Sequence, residues 1–182
     1  FPTRRSSDLK RMNRHGDREV LTELINKLRT KIPNLTIRTT FITGFPGETE
    51  EDFTELSEFV RDMRFDRMGC FAYSPEEDTP AAEFPDQIDY EVKKHRRDII
   101  MEQQAEIMAE KCESMIGKTI KVLFEGFDRY AECYYGRSSA DAPEVDGKVF
   151  FTVEGKKPAV GDIIDVEITD YIDVDLIGEY KA

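Results

Sequence analysis

Between Thr36 and Tyr73 the chain reads strand, loop, helix, strand, and that order leaves few ways to fold. Thr36 to Ile42 is rich in β-branched and aromatic residues, as a strand interior requires. Asp52 to Arg64 carries Phe53, Leu56, Phe59, Val60 and Met63 at helical spacing, and Asp66 to Tyr73 alternates as a second strand. A strand, a helix and a strand in succession demand a parallel pair joined by a right-handed crossover. A further helix with Val20, Leu21, Leu24, Ile25 and Leu28 on one face is predicted over Arg18 to Lys31. Two parallel strands cannot close a barrel or be covered on both faces, so this α/β unit reads as incomplete.

The loop between the first strand and its helix is the strongest site signal. Gly44 and Gly47 bracket Pro46, so the backbone can turn sharply and approach a ligand closely. Thr49 then offers a helix cap, and Glu50, Glu51 and Asp52 put negative charge in the first turn. Parallel α/β folds hold ligands beyond the carboxyl ends of their strands, where this loop lies. The second strand leaves through Tyr73-Ser-Pro-Glu-Glu-Asp-Thr-Pro-Ala81 at the same edge. A phosphate-cradling P-loop is excluded, because no Lys-Ser/Thr pair follows the glycines. A plain tight turn is the alternative reading of Gly44 to Gly47.

The 182 residues carry a net charge of −12, which argues against general nucleic-acid binding. The charge is uneven: residues 1–31 hold nine Lys and Arg against four Asp and Glu. No segment has the length and apolarity of a membrane span or the pattern of a signal peptide, so a soluble cytoplasmic protein is expected. Cys70, Cys112 and Cys133 are widely spaced and read as reduced, structural thiols. Phe1-Pro-Thr-Arg-Arg-Ser-Ser-Asp-Leu9 has no periodicity and translates one frame of a common short-read sequencing adapter. Residues 1–9 are therefore read as an assembly scar and set aside.

Asp89 to Met115 contains no Gly or Pro and reads as one long connecting helix, ended by Gly117. Val92, Ile99, Ile100, Met101, Ala105, Met108, Cys112 and Met115 mark its apolar side, and the basic run Lys93 to Arg97 reads as a solvated face. His95 within that run is expected to be exposed, and His15 has no partner near it in sequence. From Gly117 onward five short strands are predicted, at 119–124, 132–135, 148–153, 163–169 and 175–180. Five strands in so short a span suggest a small closed barrel of oligonucleotide-binding type. Residues 116–182 hold eight Lys and Arg against fourteen Asp and Glu, a field that repels a phosphate backbone and attracts a basic protein.

Taken together, these residues resemble the radical S-adenosylmethionine methylthiotransferases. The matching pieces are Leu-Lys-Arg-Met-Asn-Arg at 9–14, Thr-Thr-Phe-Ile-Thr-Gly-Phe-Pro-Gly-Glu-Thr at 39–49 and the loop at 73–81. The C-terminal barrel resembles the family's TRAM domain. The resemblance implies an α/β plus all-β chain. Residues 10–88 would be the C-terminal part of a radical SAM (β/α) partial barrel, 89–115 the connecting helix, and 116–182 the OB-like TRAM barrel. Arg38 before Thr-Thr-Phe, Glu76-Glu77, Gly136-Arg137, Ala140 to Gly147 and Asp175 to Glu179 resemble the branch that modifies small-subunit ribosomal protein S-twelve on an aspartate β-carbon. The sister branch, which modifies an adenosine of transfer RNA, is the alternative. A non-enzymatic acidic binding module is the alternative from another class.

The chemistry implied by the resemblance needs S-adenosylmethionine and two 4Fe-4S clusters, since acid–base catalysis cannot break an unactivated C–H bond. The C-x-x-x-C-x-x-C loop that holds the radical cluster occurs nowhere in this chain, which is therefore expected to be inactive by itself. By the same resemblance, the loop of Gly44, Phe45, Pro46, Gly47 and Glu48 would support the adenine end of S-adenosylmethionine. Tyr73 and Ser74 would present backbone groups to the same ring. Arg38 and Thr40 share one strand face; Arg38 would hold a carboxylate or ribose oxygen there, or else pair with a neighbouring glutamate. Asp141, Glu144 and Asp146, on one predicted loop of the barrel, are the candidate contacts for the basic ribosomal protein.

Overall fold

The computed structural model describes residues 17–181. The proposed scar at 1–9, the motif piece at 9–14 and His15 lie outside the described residues. The chain divides into two compact units between Ile107 and Met108, inside the long helix.

In the first unit α1 (Arg18–Lys31) is capped by Asp17, whose carboxylate accepts the Val20 N–H at 2.9 Å. The strands β1 (Arg38–Thr43) and β2 (Arg67–Ala72) pair in parallel, with Arg38 opposite Arg67, Phe41 opposite Cys70 and Thr43 opposite Ala72. Between them α2 (Glu50–Met63) starts on a capping box: Thr49 and Asp52 each bond the other's backbone N–H, at 3.2 and 2.8 Å. Period-two burial decides which side of the sheet is covered. Thr39, Phe41, Thr43, Met68 and Cys70 are buried, with Phe41 against Phe59 and Phe65 at ring separations of 6.4 and 5.6 Å. Leu56, Val60 and Met63 of α2, Ile25 of α1 and Ile100 and Ile107 of the long helix complete that core. On the opposite face Arg38, Thr40 and Phe71 are exposed, Phe71 by 63%.

The long helix α3 (Tyr90–Glu113) corrects part of the sequence reading. Val92 and Met101, expected on the apolar side, are exposed, whereas Lys93, Arg96 and Gln104 are buried. The basic run is thus not a wholly solvated face. Its members at helical spacing point inward, because 93, 96, 100, 104 and 107 fall on one stripe. His95 is exposed.

The second unit is a closed five-stranded barrel in the order β3-β4-β5-β7-β6, with β6 returning to β3. Its strands are β3 (Thr119–Asp128), β4 (Cys133–Ser138), β5 (Val149–Glu154), β6 (Ile163–Ile172) and β7 (Asp175–Lys181). All neighbours are antiparallel except β5 and β7, the pattern of OB-like barrels. Strands β3 and β6 outrun their predicted ends because each carries an irregularity, at Phe124/Gly126 and Ile168/Asp170, that bends the strand without ending it. Val122, Phe124, Val149, Phe151, Ile164, Val166 and Ile168 fill the interior. Gly136 and Gly178 sit where strands approach too closely for a side chain: an added Cβ would lie 2.7 Å from Val122 Cγ1 or Val166 Cγ1.

Candidate functional site

Strands β1 and β2 end side by side, and the backbone hydrogen bond from Tyr73 N–H to Thr43 C=O (2.8 Å) carries their ladder into the two exit loops. Gly44 (φ 74°) and Gly47 (φ 83°) both take left-handed backbone, which explains the glycine at each place. A Cβ on Gly44 would collide with the Lys93 side chain, so α3 occupies the space that the glycine leaves. The Gly47 N–H donates to Asp86 C=O at 2.8 Å. Phe45 and Pro46 are buried; the Phe45 ring meets Tyr73 at 5.3 Å and Phe84 at 6.2 Å, both edge-on.

Beneath the loop Glu48 is buried, and its carboxylate works inward. One oxygen accepts the Gly44 N–H at 2.8 Å and the other accepts Arg96 Nη1 at 2.8 Å. Arg96 also donates to the Glu48 carbonyl at 3.3 Å and pairs with Glu50 in the first turn of α2. Burial opposes the charge on Arg96, but its hydrogen bonds with Glu50 and Glu48 outweigh that and push its pKa up. The Lys93 ammonium lies over the Tyr73 ring, 4.9 Å from its centre. Burial, then the charge of Glu76, raises the Tyr73 phenol, whose oxygen is buried without a hydrogen-bond partner among the described residues. Ser74 is exposed at the loop's start.

Sequence reasoning missed Arg96 and Lys93. Their spacing was the available signal, since Ile100 and Ile107 continue the same stripe, but charge alone argued for solvent.

Arg38 and Thr40 lie on the open face of β1, opposite Arg67 and Gly69, and the half-buried Ile42 on the same face stands across from Phe71 of β2. That face offers apolar surface with a hydroxyl and a guanidinium at the strands' edge, a donor set that suits a nucleoside carrying a carboxylate. An iron–sulfur cluster does not fit the residues present. Cys70 lies in the first unit, Cys112 and Cys133 in the second, and Cys70 and Cys112 are buried. Burial, only partly offset by the hydrogen bond with Thr43, pushes the Cys70 thiol up to about 11, the opposite of a poised ligand.

In the barrel the three candidate carboxylates have different duties. Asp141 accepts the Ser138 N–H and hydroxyl, at 3.0 and 2.6 Å, and Asp146 accepts the Ala142 N–H at 2.6 Å. Both therefore brace the loop after β4, each reaching back to a backbone N–H three or four residues earlier. Glu144 is exposed and left-handed (φ 61°) at the loop's tip. The loop walls a cavity of about 530 Å³ together with Tyr135, Arg137 and Lys148. Arg137 is held by Glu125 at 2.7 Å, and the Lys148 ammonium sits 4.5 Å from the Tyr135 ring centre.

Comparison with known proteins places these units. The TRAM domain profile matches residues 116–180. The ribosomal protein uS12 methylthiotransferase RimO of Lachnoclostridium phytofermentans is 47% identical over 98% of this chain and 41% of its own length. The RimO proteins of Pelobacter propionicus and Geobacter sulfurreducens are 46% and 45% identical, over 100% and 98% of this chain and 40% of their own lengths. The chain thus spans about two-fifths of the relatives it matches. By sequence the chain is similar to the C-terminal part of these RimO proteins, and its residues 116–180 match a TRAM domain.

Proposed function

We propose that the chain is the C-terminal part of a cytoplasmic radical S-adenosylmethionine enzyme that methylthiolates the β-carbon of an aspartate in ribosomal protein uS12. The observation that carries this reading is the identity of 45–47% to RimO proteins across almost the whole chain, α/β unit and barrel alike. When bound, S-adenosylmethionine and the iron–sulfur clusters would supply the radical chemistry. This chain's part is to bind and orient. Arg38 and Thr40 on the open face of β1, with the loop from Gly44 to Glu48 and the Tyr73–Ser74 backbone, form one wall for the adenosyl end. The cluster ligands belong to residues that this chain does not contain, and the 182 residues are inactive by themselves.

The barrel serves as the recognition module for the ribosomal protein. Its excess of acidic residues steers a basic partner toward it and repels transfer RNA.

A chimera tests the reading. The corresponding part of the L. phytofermentans RimO is replaced by residues 17–182 of this chain and expressed in cells lacking their own enzyme, and uS12 is then examined by mass spectrometry. A methylthio group on a uS12 aspartate is the expected product. Modification of transfer RNA adenosine instead moves the chain to the sister branch, and a folded chimera that modifies neither overturns the proposal.

A further inference from the structure

We propose that Arg96 and Lys93 of α3 are positioning residues for the loop from Gly44 to Glu48, so that a helix following both strands sets the backbone offered to the ligand. The link to S-adenosylmethionine rests on the function proposed above; the control of the loop does not. Glu48 and Arg96 have side chains only 2% and 6% exposed. A buried ion pair is a weak source of stability, since the desolvation of two charges consumes most of their attraction and apolar residues often hold as well. What the pair provides is directed bonding. The Glu48 carboxylate takes the Gly44 N–H with one oxygen and Arg96 with the other, both at 2.8 Å. The same guanidinium holds the Glu48 carbonyl and the Glu50 carboxylate, and stacks 5.5 Å from the Phe53 ring centre. A planar fork can make these bonds together; an ammonium cannot.

Lys93 acts one helical turn earlier. Its stem fills the space beside Gly44, its carbonyl accepts the Thr43 hydroxyl at 3.2 Å, and its ammonium covers Tyr73. The exits of both strands are therefore held by one face of one helix. The two left-handed glycines allow many loop shapes, and the clamp selects one.

Backbone amide exchange in the intact 182-residue chain, followed by NMR, tests this. In Arg96→Met, which keeps the stem and loses the fork, the Gly44 amide is expected to exchange about tenfold faster or more, the scale of one charge-assisted hydrogen bond. The Phe41 and Phe71 amides, inside the ladder, should not change. Arg96→Lys should recover only part of the protection. An unchanged Gly44 rate in Arg96→Met overturns the proposal. So does equal loss at Phe41 and Phe71, which would make the effect one of general stability. Titration with S-adenosylmethionine separates the two readings. Shifts at Gly44 to Gly47 that weaken in Arg96→Met support both. A faster Gly44 amide in Arg96→Met, with no shifts in the unsubstituted chain, supports the clamp and counts against the cofactor reading alone.

Discussion

Cys70 stands opposite Phe41 in the β1–β2 register, on the face that the helices cover, and its thiol is buried there. Burial raises it from its ordinary value of about 9 to about 11, so the folded chain keeps a proton that the unfolded chain has lost between those pH values. Stability from this group is complete below pH 9 and is lost as pH rises toward 11. The midpoint of urea unfolding should fall over that window, and Cys70→Ala should fall less steeply than the unsubstituted chain although it starts lower. Parallel slopes would remove the buried thiol from the account. The residue type gave no hint of this, because a cysteine in a strand reads the same on either face until the register is known.

Among the elements, the two-stranded parallel sheet and the barrel make a natural contrast. Among the described residues the sheet is covered on one face only, with Phe71 63% exposed on the other. A sheet of two strands has an unpaired edge on each and needs packing to persist. The barrel closes on itself, β6 pairing back to β3, so every strand has two neighbours. Hydrogen exchange should therefore show the amides of β1 and β2 opening more readily than those of β3, β6 and β7. Equal or greater protection in the sheet would mean that its single core, built around Phe41, Phe59 and Phe65, matches a closed barrel.

At the scale of the whole molecule charge is the leading feature. The net charge is −12, and residues 116–182 contain fourteen acidic and eight basic residues. Binding of the chain to uS12 should weaken as salt rises from low to physiological strength, and transfer RNA should not bind under either condition. Glu144 is the side chain to remove, because Asp141 and Asp146 also hold the loop together and their loss would confuse charge with folding. Glu144→Gln should weaken uS12 binding by no more than a few-fold, the scale of one exposed ion pair worth about 0.2–1 kcal/mol. Tight transfer RNA binding, or uS12 affinity indifferent to salt, would leave the electrostatic argument without support.

The order of elements was legible in the sequence, because periodicity is a local property. The strand–helix–strand unit, the Thr49 cap, the left-handed need at Gly44 and Gly47, and five barrel strands could each be read from neighbouring residues. The fate of α3 could not. Lys93 and Arg96 carry charge that argues for solvent, and only packing under the Gly44–Glu48 loop supplies the carboxylates and the aromatic rings that offset their burial. In the same way, the sequence put three carboxylates on one barrel loop, but the hydrogen bonds of the folded loop separated the two that brace it from the one left facing water. Local pattern determines which element a residue joins. The partners that make a buried charge or a folded loop affordable come from residues far away in the chain, and only the tertiary structure brings them together.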